Sequence, residues 1–178
     1  MTFTGLHPLI KGLQTMATTA KTKARKAATR KSGSPNDAIA LLKADHRQVG
    51  AWFDAYEDVA DDAAKTDLSA KICAALKAHT QVEEEIFYPA ARAATGDNAL
   101  LDEAVVEHAA AKDLIAQLAA MVVGDDLYDA KVKVLGEQIK HHVKEEEEEL
   151  FPEVRDSDLD LVALGERMAK RKAELTGK

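Results

Sequence analysis

An eleven-residue segment occurs twice in this chain, and its histidine and glutamate spacing strongly constrains the fold. Residues 79–89 read HTQVEEEIFYP, and residues 142–152 read HVKEEEEELFP. In each copy a histidine is followed four residues later by a glutamate, and a proline ends the segment. Residues four apart share one face of an α-helix, so each copy aims an imidazole and a carboxylate in the same direction. This HxxxE spacing is typical of metal ligands on a helix.

An isolated histidine precedes each copy at nearly the same distance. His46 lies 33 residues before His79, and His108 lies 34 residues before His142. The chain therefore contains the same unit twice, an isolated histidine followed by an HxxxE motif. If the helices of the two units run antiparallel, these side chains lie at one level of the fold.

Apolar residues at spacings of three and four predict four long helices. Their stripes run over residues 39–56, 68–86, 101–122 and 128–150. The composition also favours helix, because only nine glycines and four prolines occur among 178 residues. The four histidines fall on these stripes, together with Glu83 and Glu146. Charged groups in a helical core must be paired or must bind metal, so the pattern indicates a metal site.

Short connections between the helices predict an all-α fold, an up-down-up-down four-helix bundle. We assign this bundle to residues 35–155 and a short fifth helix to residues 156–178. Residues 1–34 are predicted to form a disordered basic arm.

Capping residues and prolines suggest the helix boundaries. Ser34 and Pro35 are expected to begin the first helix, and the second is expected to start near Thr66. Pro89 is expected to stop the second helix or kink its last turn, and Pro152 is expected to close the fourth.

The basic arm differs from the rest of the chain in charge. It carries seven of the 24 lysines and arginines and none of the 31 acidic residues, although the whole chain has a net charge of −7. One interpretation is a solubilising tail. Others are a contact with nucleic acid or an anionic surface, or a transit peptide.

Cysteine content and hydropathy bear on the compartment. Cys73 is the only cysteine, which excludes an internal disulfide and suits a reducing compartment. No apolar run approaches the roughly 18 residues of a membrane span. These features predict a cytoplasmic protein.

The six side chains on the apolar stripes suit two metal ions. We expect one ion between His46 and His79 and another between His108 and His142. Two carboxylates, Glu83 and Glu146, would bridge the pair. Imidazole and carboxylate without thiolate favour two Fe ions, with manganese or zinc as lesser alternatives. Water or a small exogenous ligand would complete the coordination.

The order, spacing and flanking residues of these motifs resemble the hemerythrin family, specifically the HHE cation-binding domain. The resemblance covers about residues 37–155 and includes the IFYP and LFP endings of the two copies. It implies a four-helix bundle with a non-heme di-iron centre. Relatives of this kind bind oxygen, or sense or handle oxygen, iron, nitric oxide or peroxide.

Two positions depart from the oxygen-carrying members or leave the ligand set open. In those members the third helix carries an HxxxH motif, whereas in this chain the residue four positions after His108 is Lys112. Lys112 lies either beside the metal or outward against an acid. Glu147, at the offset the carriers use, is the alternative bridge to Glu146. The missing histidine argues against reversible oxygen carriage.

These patterns predict a di-iron protein that binds or senses a small ligand (oxygen, nitric oxide or peroxide) or iron. The alternative is a di-iron enzyme that degrades peroxide or handles nitric oxide at the same centre. A third interpretation is an iron-binding protein without turnover, tethered to DNA by the basic arm.

Overall fold

The computed structural model describes residues 36–96 and 99–177, and within them the chain forms five helices and no strand. Helices α2 and α4 each contain a π-helical turn between two α-helical stretches. The bounds are α1 (Ala38–Asp58), α2 (Asp62–Val82, π turn Glu83–Phe87, Tyr88–Thr95), α3 (Ala99–Ala119), α4 (Tyr128–Glu145, π turn Glu146–Leu150, Phe151–Asp156) and α5 (Leu161–Thr176). The predicted all-α bundle with a short fifth helix is confirmed. The predicted arm and the Ser34 and Pro35 start lie outside the described residues.

Aspartate side chains begin the first two helices. Asp37 caps α1, its carboxylate accepting a hydrogen bond from the Ala40 amide at 2.8 Å. Asp61 caps α2 in the same way through the Ala64 amide. Helix α2 thus starts earlier than the predicted Thr66. The apolar stripe does not extend into this first turn, because the residues of the turn are exposed or only partly buried.

The prolines do not end the helices, which contradicts the predicted end at Pro152 and the first of the two alternatives for Pro89. Helix α2 continues past Pro89 to Thr95, and α4 continues past Pro152 to Asp156. Each proline occupies the first turn of an α-helical stretch that directly follows the π turn. A first-turn position tolerates the missing N–H of proline, so the chain remains helical.

The apolar core is divided into two clusters, one at each end of the bundle. One cluster contains Leu42, Phe87 and Met168, and the other contains Leu76 and Leu135. Each of the four histidines lies between these clusters, because within its helix residues of one cluster precede it and residues of the other cluster follow it. A polar layer therefore crosses an otherwise apolar interior.

Helix α5 packs closely against the start of α1. A Cβ atom added at Gly165 would lie 2.7 Å from the Asn36 carbonyl oxygen and 2.8 Å from the Ala38 nitrogen. Only glycine permits this approach of a helix to another backbone. None of the described helices is long and apolar enough to cross a membrane.

Candidate metal centre

The structure brings the six predicted side chains together in the buried polar layer. The His79 Nε2 atom lies 3.1 Å from a Glu83 carboxylate oxygen, and the His46 Nε2 atom lies 3.3 Å from Glu146. His108 and His142 complete the set, and all six residues are at most 8% exposed. Ligand atoms of His46, His79, Glu83 and Glu146 lie within 4.8 Å of one another, as do those of Glu83, His108 and His142.

The spacing of these atoms fits metal coordination. The His108 Nε2 atom lies 3.4 Å from Glu83, and the His142 Nε2 atom lies 3.6 Å from Glu146. Ligands with bonds of about 2.0–2.2 Å to one ion are separated by roughly 3–3.6 Å. The two atom groups share Glu83, so two neighbouring ions could have a common carboxylate.

Several buried atoms of this layer have no hydrogen-bond partner within the described part of the chain. They are His46 Nε2, both carboxylate oxygens of Glu83, and Glu146 Oε2. Buried polar atoms without partners are costly, and a fully buried carboxylate especially so. A bound cation would satisfy all of these atoms together, so the donor set fits a metal site.

Each π turn brings an aromatic residue into the polar layer, and the sequence patterns predicted neither of these two residues there. A π turn pairs residues five apart, and the Tyr88 amide donates to the Glu83 carbonyl. Tyr88 therefore lies above Glu83, where its ring stacks on His108 at 5.4 Å. In the second copy Phe151 occupies the same position after Glu146 and stacks on His46 at 5.8 Å.

The Tyr88 hydroxyl makes the two halves of the centre chemically different. It donates a hydrogen bond to Glu146 Oε1 at 3.0 Å and lies 3.2 Å from His108 Nε2. Phe151 offers no such group. The motif alignment already pairs Tyr88 with Phe151, but only the five-residue π repeat directs both toward the histidines.

The outward-facing nitrogen of every histidine contacts a carboxylate. The Nδ1 atoms of His46, His79, His108 and His142 lie 3.0, 3.5, 3.0 and 2.8 Å from Glu147, Asp45, Glu84 and Glu107. A carboxylate that accepts from Nδ1–H fixes the tautomer that leaves Nε2 free for metal. The sequence analysis missed this role for all four acids, since each comes from a helix other than that of its histidine.

Each of these carboxylates has a cationic or titratable partner of its own. Lys43, Lys172 and Lys112 pair with Glu147, Asp45 and Glu84. The fourth carboxylate, Glu107, lies 3.7 Å from the ring of His141 instead. The histidine layer is thus surrounded by carboxylates that are themselves held by surface side chains.

The structure shows where the side chains of the positions that the sequence left open lie. Lys112 points outward, 42% exposed, and its ammonium lies 2.6 Å from both oxygens of Glu84, the carboxylate that contacts His108 Nδ1. A histidine at 112 is therefore not expected to reach the centre. Glu146 is buried within the layer, whereas Glu147 faces Lys43 at the surface. His141 is exposed.

Burial and opposite charges act against each other on the titratable groups of this layer. Burial lowers the pKa of His79, but Glu83 and Asp45 raise it more, to about 10. Burial raises the pKa of Glu83, but His79 outweighs it and the pKa falls to about 2. Burial holds the pKa of His108 below its usual value despite Glu83. Burial and Glu83 raise the pKa of Tyr88, so its phenol stays protonated.

Two cavities adjoin the layer on the side of the second core cluster. One is a cavity of about 10 Å³ enclosed by the four histidines with Val49, Leu76 and other apolar side chains. The other is a groove of about 780 Å³ along α1 and α4. His46, Ile139 and Val143 line both. The small cavity has room for about one water-sized molecule.

The chain is similar to one family model and to two known proteins. Residues 37–154 match the family model described as hemerythrin HHE cation binding domain. A solved structure of a hemerythrin HHE cation binding domain-containing protein from Mycobacterium kansasii is 25% identical, with a TM-score of 0.66 over 79% of this chain and 88% of that one. A protein named DNA nickase from Nostoc sp. is 26% identical over 117 residues, which are 66% of this chain but only 33% of that protein.

Proposed function

The chain belongs to the hemerythrin HHE cation-binding domain family, and from that premise we propose that it is a non-heme di-iron protein. In this proposal the centre binds or senses a small ligand (oxygen, nitric oxide or peroxide) or iron itself. The supporting observation is the set of buried imidazole and carboxylate atoms that lie close together and have no hydrogen-bond partner within the described residues.

The ligand set divides into two halves. One iron would be held by His46 and His79, and the other by His108 and His142. Glu83 is the stronger candidate for a shared ligand, because it belongs to both groups of potential ligand atoms and approaches His79 and His108, whereas Glu146 belongs to one group. Glu146 also approaches both His46 and His142.

Iron is favoured by the family and by the donor types. Imidazole and carboxylate donors without a nearby thiolate suit iron, and also suit manganese or zinc to a lesser degree. When bound, iron would supply an open coordination position for a small ligand. The four outer carboxylates would hold the imidazoles in the tautomer that presents Nε2 to the metal.

The cavity beside the centre supports a ligand of only a few atoms. Its volume of about 10 Å³ admits a water-sized or diatomic molecule, and its apolar walls include Val49 and Leu76. A larger organic substrate would not fit without movement of these side chains. The size of this cavity therefore favours a ligand of a few atoms over an organic substrate.

Metal analysis and visible spectroscopy of the purified protein test this proposal. We expect about two iron atoms per chain and a visible spectrum that changes with oxygen, azide or peroxide. The variants His79→Ala and His142→Ala should each lose iron, because each removes a ligand and leaves a buried carboxylate without its partner. Full iron occupancy in both variants would contradict the ligand assignment. Loss of added peroxide over many turnovers would support the enzymatic alternative.

Contact of the basic arm with nucleic acid remains a separate proposal. The arm lies outside the described residues, and the name DNA nickase belongs to a relative of which this chain spans about a third. A truncated chain that begins at Asn36 tests it. We expect unchanged iron content and, if the arm binds DNA, weaker retention on DNA at low salt.

A further inference from the structure

The helix that carries the second HxxxE motif carries another one, shifted by one residue. His141 and Glu145 repeat the spacing of His142 and Glu146. A shift of one residue rotates the motif by about 100° around the helix, so the two motifs face different directions. His141 is 62% exposed and Glu145 is half-buried, whereas the neighbouring pair is buried.

Helix α3 adds a third potential ligand to this outer motif. The His141 Nε2 atom lies 3.2 Å from Glu145 Oε1 and 3.7 Å from Glu107 Oε1. The ligand atoms of these three residues lie within 4.8 Å of one another. One imidazole and two carboxylates at these separations match three protein ligands of a divalent metal, with water completing the coordination.

Glu107 connects this outer group to the buried centre. Its Oε2 atom lies 2.8 Å from His142 Nδ1, while its Oε1 atom faces His141. A cavity of about 10 Å³ is lined by residues of both groups, Glu107 and Glu145 with His142 and Glu146, together with the apolar Leu100, Ala104 and Leu150. Glu146 is 2% exposed, and its Oε2 atom has no hydrogen-bond partner among the described residues.

We propose that Glu107, His141 and Glu145 form a peripheral site for a divalent transition-metal ion, and that the ion passes from it through the adjacent cavity to the buried centre. The outer site is open to solvent through His141. Three carboxylates, Glu107, Glu145 and Glu146, contribute to the lining of the adjacent cavity. The binding of an ion at the periphery stands on its own, whereas its onward passage rests on the proposed function of the centre.

Calorimetric titration of the metal-free, full-length protein with Zn²⁺ tests the peripheral site. We expect a tight class of sites at the centre and one additional, weaker site. The variants His141→Ala and Glu145→Gln should each lose the weaker site, and Glu145→Gln, which leaves the contact between His141 and Glu107 in place, should keep the tight class. The control Glu149→Gln removes the same charge as Glu145→Gln from an exposed position of the same helix and should retain both classes. Absence of the weaker site in the wild type, or its persistence in both variants, would overturn the proposal.

The rate of Fe²⁺ uptake by the metal-free protein tests the passage. We expect His141→Ala to slow uptake at least about tenfold, with unchanged final iron content and with Glu149→Gln near the wild-type rate. Equal rates in all three proteins would overturn the loading role. If the wild type lacks the tight class altogether, the proposed function fails. In that case His141→Ala and Glu145→Gln still test the weaker Zn²⁺ site independently.

Discussion

At the scale of single residues, Tyr88 and Phe151 differ although they occupy equivalent positions of the duplicated motif. Both stack on a histidine of the polar layer, but only Tyr88 donates a hydrogen bond there, to Glu146. The two proposed iron positions are therefore unequal, and the phenol lies on the side of His108. We infer that Tyr88 contributes to how a small ligand is shared between the two positions.

Replacement of Tyr88 by phenylalanine should change ligand binding without removing metal. All six proposed ligands remain in Tyr88→Phe, so the iron content is expected to stay the same. The metal-free form should lose about 1–3 kcal/mol of stability, because a buried carboxylate loses its donor. Azide titration followed by absorbance should show an altered affinity. The control Tyr128→Phe removes a buried hydrogen bond to Ser69, away from the centre. Identical azide affinities in both variants would contradict the role of Tyr88.

The pair formed by His79 and Glu83 predicts the pH dependence of the metal-free protein. The pKa of His79 is raised from 6.5 to about 10, so its contribution to stability is complete below pH 6.5 and is lost as the pH rises toward 10. The pKa of Glu83 is lowered from 4.5, so its contribution is complete above pH 4.5 and is lost at lower pH. Urea unfolding should show that the free energies of unfolding of wild type and His79→Gln differ most between pH 4.5 and pH 6.5. A difference that does not vary with pH would contradict the pairing.

At the scale of secondary structure, helix α5 contacts the residues that hold a histidine of the centre. Lys172 of this helix pairs with Asp45 of α1, and Asp45 in turn lies 3.5 Å from His79 Nδ1. Burial opposes the charged form of Asp45, but its hydrogen bonds to His79 and Lys172 keep its pKa below the usual value. Arg171 pairs with Glu85 in the π turn of α2. The fifth helix thus pairs with Asp45, which contacts His79, and with the π turn that begins at Glu83.

Removal of the Lys172 ammonium should weaken metal binding at a distance. Asp45 loses its cation in Lys172→Met, so it fixes the His79 ring less firmly. Outer partners of metal ligands typically change metal affinity by about 10–100-fold. Competition with a chelator should therefore show weaker binding in Lys172→Met than in the wild type. Lys170→Met, a matched change at an exposed position of the same helix, should bind metal like the wild type. Equal affinities for the two variants would show that α5 does not support the centre.

Two glycines in different helices predict stability changes of opposite sign. A Cβ atom at Gly165 would collide with backbone atoms of Asn36 and Ala38, so Gly165→Ala should cost about 1–3 kcal/mol. A Cβ atom at Gly50 meets nothing within 4 Å, so Gly50→Ala should stabilise α1 by roughly 0.5–1 kcal/mol. Thermal unfolding should show a lower midpoint for the first variant and a higher one for the second. A tolerated Gly165→Ala would show that α5 can move away from α1.

At the scale of the whole molecule, the groove between α1 and α4 reaches the edge of the polar layer at His46. This groove shares His46, Ile139 and Val143 with the small cavity beside the centre. Gly50 and Gly136 also line it. The position of the groove therefore offers a small ligand a route from solvent to the centre. Val143 lies at the boundary between the groove and the small cavity.

A change in the size of residue 143 should alter the rate of ligand binding. Val143→Phe is expected to narrow the boundary and slow azide binding, whereas Val143→Ala should speed it. Both variants keep the proposed ligands, so iron content should not change. Stopped-flow absorbance measures these rates. Rates that do not depend on the residue at 143 would show that ligands reach the centre by another route.

The sequence by itself determined the family, the helical bundle and the grouping of six side chains. Helical periodicity is local, so a histidine and a glutamate four residues apart share a face whatever the rest of the chain does. One histidine on each of the four apolar stripes then leaves the bundle interior as their common location. The family match confirms the resemblance, while iron binding by these residues stays a prediction.

Only the tertiary structure decided how the centre is completed. The π turns carry Tyr88 and Phe151 into the layer, because residues five apart lie above one another there but not in an α-helix. The carboxylates behind the histidines come from neighbouring helices, and the lysine that holds Asp45 lies 127 residues away from it. The outward direction of Lys112 likewise depends on its partner in α2. Such pairings arise from packing between helices, which the spacing of residues within one helix does not specify.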